Sequence, residues 1–349
     1  MWFGVGIIKI LKKLKKNMKI IVPMAGMGKR MRPHTLTVPK PLIPIAGKPI
    51  VQRLLEEIAK VSGEEIEEIA YIVGHFGDEV ENQLKEIASD LNAKASIYYQ
   101  TEALGTAHAI HCAADSLDGK VVVAFADTLF KADFVLDNEA DSVIWVQKVE
   151  DPSAFGVVKM DDNNRITDFV EKPQEFVSDL AIIGIYYFKD GANLKSELQY
   201  LLDNKVIVNG EYQLTDALEN MKNKGLNFVP GQVIEWMDCG NKDATVNTNQ
   251  RILEFHKDDK LIADSMVNEN AIIIPPCYIG ENVVIKNSVV GPHVSLGDNS
   301  LVENSLISNA IIQTNTKITG GNIKNSMLGN FVEVNDEAKE YSVGDYTNC

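Results

Sequence analysis

The feature that most constrains this chain is the stretch from Lys19 to Ile50, in which a short run rich in β-branched residues leads into a basic loop. Residues 19–22 (KIIV) predict a buried strand, and the glycines that follow Pro23 predict a tight turn. The stretch has six Lys or Arg and no Asp or Glu, although the chain carries a net charge of −15. A polyanionic ligand is the simplest explanation for such a local reversal of charge.

The glycines of this loop favour a phosphate site. Gly26 and Gly28 allow backbone N–H groups to approach phosphate oxygens without a Cβ in the way, and Lys29, Arg30 and Lys40 add positive charge. The spacing is neither that of the P-loop nor that of the GxGxxG motif. An ordinary surface turn is the alternative interpretation of the glycine pair.

Beyond the loop, Pro33, Thr35 and the segment 39–42 (PKPL) complete a longer pattern. The pattern resembles the signature of the sugar-1-phosphate nucleotidyltransferases, also called nucleotide-sugar pyrophosphorylases, whose usual loop reads Gly-Gly-x-Gly-Thr-Arg. This chain has Ala25 and Lys29 at the first and fifth of those positions. The resemblance implies that Ala25, Gly26 and Gly28 bind the nucleotide, and that Arg30 and Lys40 act in catalysis by neutralising the triphosphate.

Composition limits the class of protein. A chain of 349 residues is long enough for two domains, each with its own core. The excess of acidic residues argues against nucleic acid as a partner, because Lys and Arg supply most of that affinity. The four cysteines are widely scattered and show no CxxC spacing, which favours a reducing cytoplasm over a disulfide framework or a zinc site.

Residues 1–17 form a basic N-terminal extension with five lysines among apolar side chains. A basic amphipathic helix on a membrane surface is one interpretation. The lysines follow the apolar part and no cleavage site of small residues is present, so a secretory signal is not indicated. We expect an upstream extension, with Met18 as the natural start and no stable membrane insertion.

From Pro49 onward, strand-like and helix-like segments alternate. The pattern indicates an α/β domain with a doubly wound, mostly parallel sheet whose ligands lie at the carboxyl ends of the strands. The family resemblance implies that this domain, over residues 18–260, has the Rossmann-like nucleotidyltransferase fold. The loop at 24–30 and Asp127 both follow strands, so we expect them in one crevice. The predicted segments are a helix from 49, strand 69–73, helix 79–91, strand 95–99, helix 105–114 and strand 120–125, then strands at 143–146, 156–160, 166–171, 181–188 and 233–236 and a helix at 242–257.

The segment from Gln100 to Ala109 is the predicted place for the base. Gln100 offers both a donor and an acceptor, and Gly105 allows a base to lie close to the backbone. The resemblance implies that Gln100, Gly105 and Thr106 bind the nucleotide, and the Gln-containing form is similar to that of enzymes taking uridine or thymidine nucleotides. His108 and His111 share one helical face, but we expect ordinary packed or solvated histidines there, because no third metal ligand is near in sequence.

The expected metal ligands are two aspartates from distant strands. Asp127 follows the buried run 121–125, where an aspartate is commonly a cap or turn residue. Asp238 lies in Trp236-Met237-Asp238-Cys239-Gly240, which is similar to the family segment Trp-x-Asp-x-Gly. The resemblance implies that Asp127 and Asp238 hold Mg²⁺.

The sugar phosphate is expected to bind among the closely spaced strands after residue 142. The resemblance implies that Gly156 approaches the sugar, that Glu171 holds a sugar hydroxyl, and that Lys172 acts in catalysis on the phosphate of the sugar 1-phosphate. Glu211, in the segment 210–217 (GEYQLTDA), is implied to contact the sugar as well. Outside this family context, the Glu-Lys-Pro triplet is merely a polar strand end.

The tail over residues 265–342 loses helical periodicity, and short apolar pairs return every five or six residues. An Asn-Ser echo at 287, 304 and 325 accompanies this ladder. The pattern predicts a left-handed parallel β-helix of hexapeptide repeats with about four turns. The apolar ladder consists of Ile273, Ile279, Ile285, Val290, Leu296, Val302 and Ile307, with Gly280, Gly291 and Gly297 at turns.

The leading hypothesis is a Mg²⁺-dependent enzyme that joins a nucleoside triphosphate to a sugar 1-phosphate, with glucose 1-phosphate and dTTP or UTP favoured. Mannose 1-phosphate with GTP is the alternative substrate pair. A β-helix acyltransferase is a second hypothesis, and a non-catalytic regulatory or assembly subunit is a third. We expect the β-helix to mediate homo-oligomer contacts or regulation.

Overall fold

The chain was analysed as a computed structural model, which describes residues 18–133, 135–137, 139–337, 339–340 and 342–347. These residues form two compact units. The first contains the described residues up to Gly28 together with Ile50–Met237. The second contains Lys29–Pro49 and the described residues from Asp238 onward. The predicted extension at residues 1–17 lies outside the described residues, and the predicted domain limits near residues 260 and 265 stay predictions.

The first unit is a sheet flanked by helices, and its elements follow the alternation predicted for an α/β domain. The elements within Lys29–Pro49 and the helix Lys242–Phe255, which are given below with them, belong to the second unit. The strands up to Asp238 are β1 (Met18–Pro23), β2 (Pro44–Ile45), β3 (Lys48–Pro49), β4 (Ile66–Val73), β5 (Lys94–Tyr99), β6 (Lys120–Ala124), β7 (Thr128–Lys131), β8 (Ser142–Lys148), β9 (Gly156–Met160), β10 (Ile166–Glu171), β11 (Leu180–Phe188), β12 (Phe228–Gln232) and β13 (Glu235–Asp238). The α-helices are α1 (Ile50–Ser62), α2 (Asp78–Asp90), α3 (Thr106–His111), α4 (Gly191–Asp203), α5 (Leu214–Asn223) and α6 (Lys242–Phe255). Short 3₁₀ turns cover Lys29–Met31, His34–Leu36, Lys40–Leu42 and Ala114–Ser116.

The large sheet has nine strands, in the order β10-β9-β11-β6-β1-β4-β5, with β8 on β11 and β12 on β8. The strands β6, β1, β4 and β5 run parallel, which confirms the predicted parallel core. Strand β11 is antiparallel to β6, β8 and β9, and β9 is antiparallel to β10. The sheet is therefore mixed, and its antiparallel pairs involve β8 to β11, which follow one another along the chain without a helix between them.

Some of the helices and strands match the predicted segments, and others differ from them. Helix α1 begins directly after Pro49 and buries Ile50, Leu54 and Ile58 at helical spacing, as predicted. The helix predicted over 105–114 is shorter, because α3 ends at His111 and a 3₁₀ turn follows. The strand predicted at 233–236 lies two residues later, as β13, and helix α4 was not predicted at all.

The second unit contains the predicted coil of short parallel strands. These are β14 (Val267–Glu269), β15 (Ile272–Ile273), β16 (Cys277–Ile279), β17 (Val284–Lys286), β18 (Val289–Val290), β19 (Val294–Leu296), β20 (Leu301–Glu303), β21 (Leu306–Ile312), β22 (Lys317–Thr319), β23 (Asn322–Leu328) and β24 (Glu333–Asn335). One ladder runs β14-β17-β20-β22-β24, and its paired residues are Val267, Val284, Leu301, Lys317 and Glu333. Each coil is thus 17 or 16 residues long, and the predicted apolar ladder forms the core inside the coils.

The Asn-Ser echo has a structural explanation. Asn287 and Asn304 occupy the left-handed region (φ 45° and 49°), which asparagine tolerates, and so turn the chain at one corner of the coil. The hydroxyl of Ser288 accepts a hydrogen bond from the backbone N–H of Ser305 in the next coil at 3.0 Å. The third copy is not in this register, because Asn325 lies opposite Asn309 and bonds to its side chain at 2.8 Å. The third copy, 21 residues after the second, therefore lies at a different corner of the coil.

Candidate functional site

The first unit presents its predicted site residues along one edge of the parallel core. The loop 24–28 follows β1, the turn containing Asp127 follows the neighbouring β6, and Gln100 follows β5. Met24 continues the strand by donating to the Ile72 carbonyl at 2.8 Å. Because these strands are parallel, their carboxyl ends meet at the same edge, which is where open α/β sheets bind ligands.

The glycine loop keeps space beside its backbone. A Cβ built at Gly26 would meet no heavy atom within 4 Å, so the packing of the chain does not itself require glycine there. Gly28 has a φ of +56°, in the left-handed region where glycine is favoured. The open space at Gly26 is compatible with a ligand lying against the backbone.

The segment after β5 is held by hydrogen bonds that sequence reasoning did not find. The Nε2 of Gln100 lies 3.3 Å from the Gly105 carbonyl oxygen and 3.2 Å from Nδ1 of His108. A Cβ at Gly105 would lie 2.5 Å from the carbonyl oxygen of Tyr212, and its φ is +113°. The Tyr212 backbone therefore requires glycine at position 105, and the contact of Gly105 with a base stays a prediction.

Further hydrogen bonds join the predicted nucleotide segment to the predicted sugar segment. Thr106 Oγ1 accepts from the Leu214 N–H at 2.9 Å, and the Tyr212 N–H donates to the Leu104 carbonyl at 2.8 Å. The Cβ of Glu211 lies 2.9 Å from the position of a Cβ at Gly105. Glu211 is thus a neighbour of Gly105 and Thr106, although about a hundred residues separate it from them in sequence.

The other predicted sugar residues also lie together. A Cβ at Gly156 would lie 3.0 Å from Oε2 of Glu171. Burial raises the pKa of Glu171, and the negative charges of Asp216 and Glu211 act in the same direction, against Lys172. Burial also raises the pKa of Asp216, whose Oδ2 is buried without a hydrogen-bond partner. Carboxylates grouped in this way offer several acceptors for sugar hydroxyls.

Lys172 has an unusual backbone conformation. Its φ is +42°, a region that costs a non-glycine residue about 1 kcal/mol or more. The Lys172 N–H donates to the Phe155 carbonyl at 3.1 Å, and its side chain is 64% exposed with Nζ 3.8 Å from Glu171 Oε1. Strained residues of this kind cluster at functional sites, so the conformation supports a functional role for Lys172.

The turn that contains Asp127 is braced by an aromatic side chain. Trp236 Nε1 donates to Thr128 Oγ1 at 2.5 Å, and the Trp236 ring packs edge to face on Phe155 at 4.9 Å. Phe155 directly precedes Gly156 in the predicted sugar segment. Trp236 thereby links the turn of the predicted metal ligand to that segment.

The second unit contains the predicted residues Arg30, Lys40 and Asp238. A Cβ at Gly240 would lie 3.0 Å from both carboxylate oxygens of Asp238 and 3.4 Å from a terminal nitrogen of Arg30. The Gly240 N–H donates to Asp238 Oδ1 at 2.9 Å. The Asp238 carboxylate and the Arg30 guanidinium therefore border the same small space beside Gly240, where a Cβ would be a tight fit.

Helix α6 anchors the segment 29–49 from within the second unit. Thr248 Oγ1 donates to the Asp238 carbonyl at 2.7 Å. The buried Asn249 accepts, through Oδ1, from the Ala46 N–H at 2.9 Å and from the hydroxyl of Ser295 at 2.7 Å. Lys40 begins a 3₁₀ turn whose Pro41 and Leu42 are buried. Sequence reasoning missed this network, because its members are far apart in the chain.

The donor set suits a hard cation that is completed by substrate. Among the described residues, no group of three or more His, Cys, Asp and Glu side chains forms a metal cluster. Mg²⁺ typically takes one or two carboxylates together with substrate phosphates, and the metal ligands predicted from the sequence are of that residue type. His111 Nε2 lies 2.9 Å from Gln199 Oε1, in agreement with the expectation of an ordinary helix histidine.

Two further observations concern the described residues as a whole. The second unit has a mostly apolar cavity of about 590 Å³, between residues 33–38 and 327–332, that none of the predicted site residues lines. None of the helices in the described ranges combines the length and apolar character needed to cross a bilayer.

Comparison with known proteins places the chain in a family context. The family model described as "Nucleotidyl transferase" matches residues 19–254. The low-salt glycan biosynthesis nucleotidyltransferase Agl11 of Haloferax volcanii is 32% identical over 266 residues, which cover 73% of this chain and 71% of that protein. The glucose-1-phosphate thymidylyltransferase of Streptomyces antibioticus is 29% identical over 279 residues, which cover 76% and 73%.

Other relatives are longer. The bifunctional protein GlmU of Methanococcus aeolicus is 30% identical over 263 residues, which cover 74% of this chain but 60% of that protein.

The solved structure of a UDP-glucose pyrophosphorylase complexed with UDP-glucose matches with a TM-score of 0.56 and 25% identity, covering 68% of this chain and 99% of that one.

Proposed function

Because this chain belongs to the nucleotidyl transferase family and is a sugar-1-phosphate nucleotidyltransferase, we propose that it joins dTTP or UTP to glucose 1-phosphate with Mg²⁺. The products are the nucleoside diphosphate glucose and pyrophosphate. The similarity to a glucose-1-phosphate thymidylyltransferase and to a UDP-glucose pyrophosphorylase supports this substrate pair. The observation that carries the proposal is the meeting of the loop 24–28, Asp127 and Gln100 at the carboxyl ends of parallel strands.

The proposed reaction is an in-line displacement. An ionised oxygen of the sugar phosphate attacks the α-phosphorus, a new P–O bond forms, and the bond to the β-phosphate breaks to release pyrophosphate. The attacking oxygen already carries charge, so no strong base is needed, and positioning with charge neutralisation provides the acceleration. This requirement matches a site of cations, backbone N–H groups and carboxylates.

Each proposed residue has a separate task. Arg30 and Lys40 neutralise the triphosphate, and the backbone at Ala25, Gly26 and Gly28 approaches its oxygens. Lys172 orients the phosphate of the sugar phosphate. The predicted base segment at Gln100, Gly105 and Thr106 binds the nucleotide, and Gly156, Glu171 and Glu211 bind the sugar.

Asp127 and Asp238 are the proposed ligands of Mg²⁺, whose chemistry when bound is to polarise and neutralise phosphoryl oxygens. A guanidinium group binds both carboxylate and phosphate oxygens. Arg30, which borders the same space as the Asp238 carboxylate beside Gly240, is therefore suited to bind a phosphate oxygen there. We further propose a catalytic domain over residues 18–260, a β-helix domain over 265–342, and assembly into a homo-oligomer.

The test is pyrophosphate release by the purified chain with Mg²⁺, for five triphosphates (dTTP, UTP, GTP, CTP and ATP) against the 1-phosphates of glucose, galactose, mannose and N-acetylglucosamine. We expect turnover with dTTP or UTP and glucose 1-phosphate. Asp127→Ala should lower kcat/KM by a factor on the order of 10² to 10³. Asp162→Ala, which alters an exposed aspartate in the β9–β10 turn, is the matched control and should retain activity.

Three other outcomes would each contradict one part of this proposal. A preference for GTP with mannose 1-phosphate would move the assignment to a guanylyltransferase. Equal activity of the Asp127→Ala and Asp162→Ala variants would remove Asp127 from the site. Absence of turnover from folded protein across the whole matrix would favour a non-catalytic subunit.

A further inference from the structure

The orientation of the Gln100 amide follows from its partners. The Gly105 carbonyl oxygen can only accept, so the Gln100 atom that lies 3.3 Å from it must be the NH₂ group. The same nitrogen lies 3.2 Å from His108 Nδ1, which accepts the second N–H when the histidine is neutral and carries its proton on Nε2. Both amide hydrogens are therefore used within the protein.

The amide oxygen is left without a donor within the described residues. Gln100 is partly exposed, and among the described residues no group donates a hydrogen bond to its Oε1. A side chain that could in principle offer a donor or an acceptor is thus restricted to an acceptor. The restriction depends on His108, because the Gly105 carbonyl alone would leave one N–H free to serve a ligand.

The local environment keeps His108 in the required state. Burial lowers the pKa of His108, and the neighbouring His111 acts in the same direction, against the charge of Glu102. Helix α3, which carries His108, is fixed by the bond from the Ala107 N–H to the Tyr212 carbonyl at 2.9 Å. The imidazole is consequently held where its Nδ1 meets the amide.

We propose that His108 is a positioning residue for base recognition, holding the Gln100 amide with its oxygen toward the nucleotide. The substrates are then nucleotides whose base offers a ring N–H to that oxygen. Uracil and thymine offer N3–H and guanine offers N1–H, whereas the corresponding ring nitrogens of cytosine and adenine are acceptors. An acceptor placed against an acceptor leaves both unpaired, which disfavours CTP and ATP.

This inference rests on the proposed function, in which Gln100 contacts the base. The test compares kcat/KM for UTP with that for CTP in the wild type and in three variants. His108→Leu removes the acceptor, and His108→Asn restores one at the position of Nδ1. His111→Leu is the matched control, since this neighbouring histidine of α3 bonds to Gln199 and not to Gln100.

We expect the wild type to prefer UTP, and His108→Leu to reduce the UTP to CTP ratio about fivefold, the equivalent of one ordinary hydrogen bond. His108→Asn should restore most of the ratio, and His111→Leu should leave it unchanged. A purely structural role for His108 would lower activity with both nucleotides equally and would move the unfolding temperature instead.

The inference is overturned if the wild type prefers CTP or ATP, or if His108→Leu keeps the wild-type ratio. Failure of the proposed function has a different signature, namely no turnover of any triphosphate by the wild type. In that case the same four proteins are compared by calorimetric binding of UTP and CTP, and an unchanged ratio of dissociation constants in His108→Leu would equally overturn the inference.

Discussion

The two units use the same polar residue types for opposite purposes. At the sheet edge of the first unit, the amide oxygen of Gln100 accepts no hydrogen bond from the described residues, and Gly26 borders open space. In the β-helix of the second unit, side-chain amides bond to one another from coil to coil, as Asn270 does to Asn287 at 2.9 Å. Gly291, Gly297 and Gly320 there are confined by backbone of a neighbouring coil.

The difference follows from how parallel strands are connected. In the first unit, helices carry the chain between parallel strands, so the loops at the carboxyl ends have space for a ligand. In the β-helix, a short corner joins each strand to the next, and the following coil lies directly above it. Polar groups at a sheet edge are therefore available for chemistry, whereas those at a β-helix corner are occupied by the next coil.

Glycine substitution should give the largest contrast. Gly291 has a φ of +113°, and a Cβ there would lie 2.0 Å from the carbonyl oxygen of Ile274. We expect Gly291→Ala to lower the free energy of unfolding by more than about 3 kcal/mol, because backbone must move. Gly26→Ala should change it by less than about 0.5 kcal/mol while weakening triphosphate binding. Urea unfolding and the KM for the nucleotide measure the pair, and equal stability losses would break the comparison.

Buried and partly exposed amides should differ next. Asn249→Ala leaves the Ala46 N–H and the Ser295 hydroxyl without their buried acceptor, which should cost about 2 to 3 kcal/mol. Gln100→Ala should cost no more than about 1 kcal/mol, but it should abolish discrimination between UTP and CTP. Urea midpoints of both variants test this, and a larger stability loss for Gln100→Ala would contradict it.

Lys172 should separate stability from activity. Lys172→Gly relieves the unfavourable φ of +42°, so the free energy of unfolding should stay unchanged or rise by up to about 1 kcal/mol. Loss of the ammonium group should lower kcat/KM by a factor on the order of 10². Lys172→Ala, which keeps the strain and loses the charge, is the control. Full activity of the glycine variant would remove Lys172 from the proposed mechanism.

The smallest effects should appear in the pH dependence of two glutamates. Burial raises the pKa of Glu171 in the first unit, so its folded form holds the proton more tightly, and stability falls as pH rises through the raised pKa. The hydrogen bond from His293 lowers the pKa of Glu254 in the second unit, so its contribution is present above the ordinary pKa and is lost as pH falls through the lowered pKa.

Replacement by glutamine removes each dependence. From about pH 3.5 to about pH 7, Glu171→Gln should gain stability relative to the wild type, whereas Glu254→Gln should lose it. Urea midpoints at both pH values measure the two differences. Changes of the same sign in both variants would show that the carboxylates do not have opposite environments.

Much of the fold could be predicted because it depends on local periodicity. The buried residues of α1 and the apolar ladder of the β-helix follow directly from spacing along the chain. The placement of loop 24–28 and Asp127 at one sheet edge followed from the rule for parallel strands. Helix α4 escaped prediction, and α3 proved shorter than its pattern suggested.

The candidate site was less predictable, since its contacts join residues distant in sequence. The Tyr212 backbone lies against Gly105, an approach between residues about a hundred positions apart that was not predicted. The hydrogen bond between His108 and Gln100 was not predicted either, because it depends on how helix α3 packs beside the end of β5. The grouping of segment 29–49 with the chain from Asp238 onward in one compact unit was not predicted from the sequence.

The sequence by itself determined the family, the α/β class and the coiled tail, because glycine spacing, apolar periodicity and local charge are properties of neighbouring residues. Only the tertiary structure decided which atom of the Gln100 amide bonds within the protein and which residues border the Asp238 carboxylate. Those outcomes depend on partners such as His108 and Gly240, whose positions are set by the packing of distant elements and not by the residues beside them in the chain.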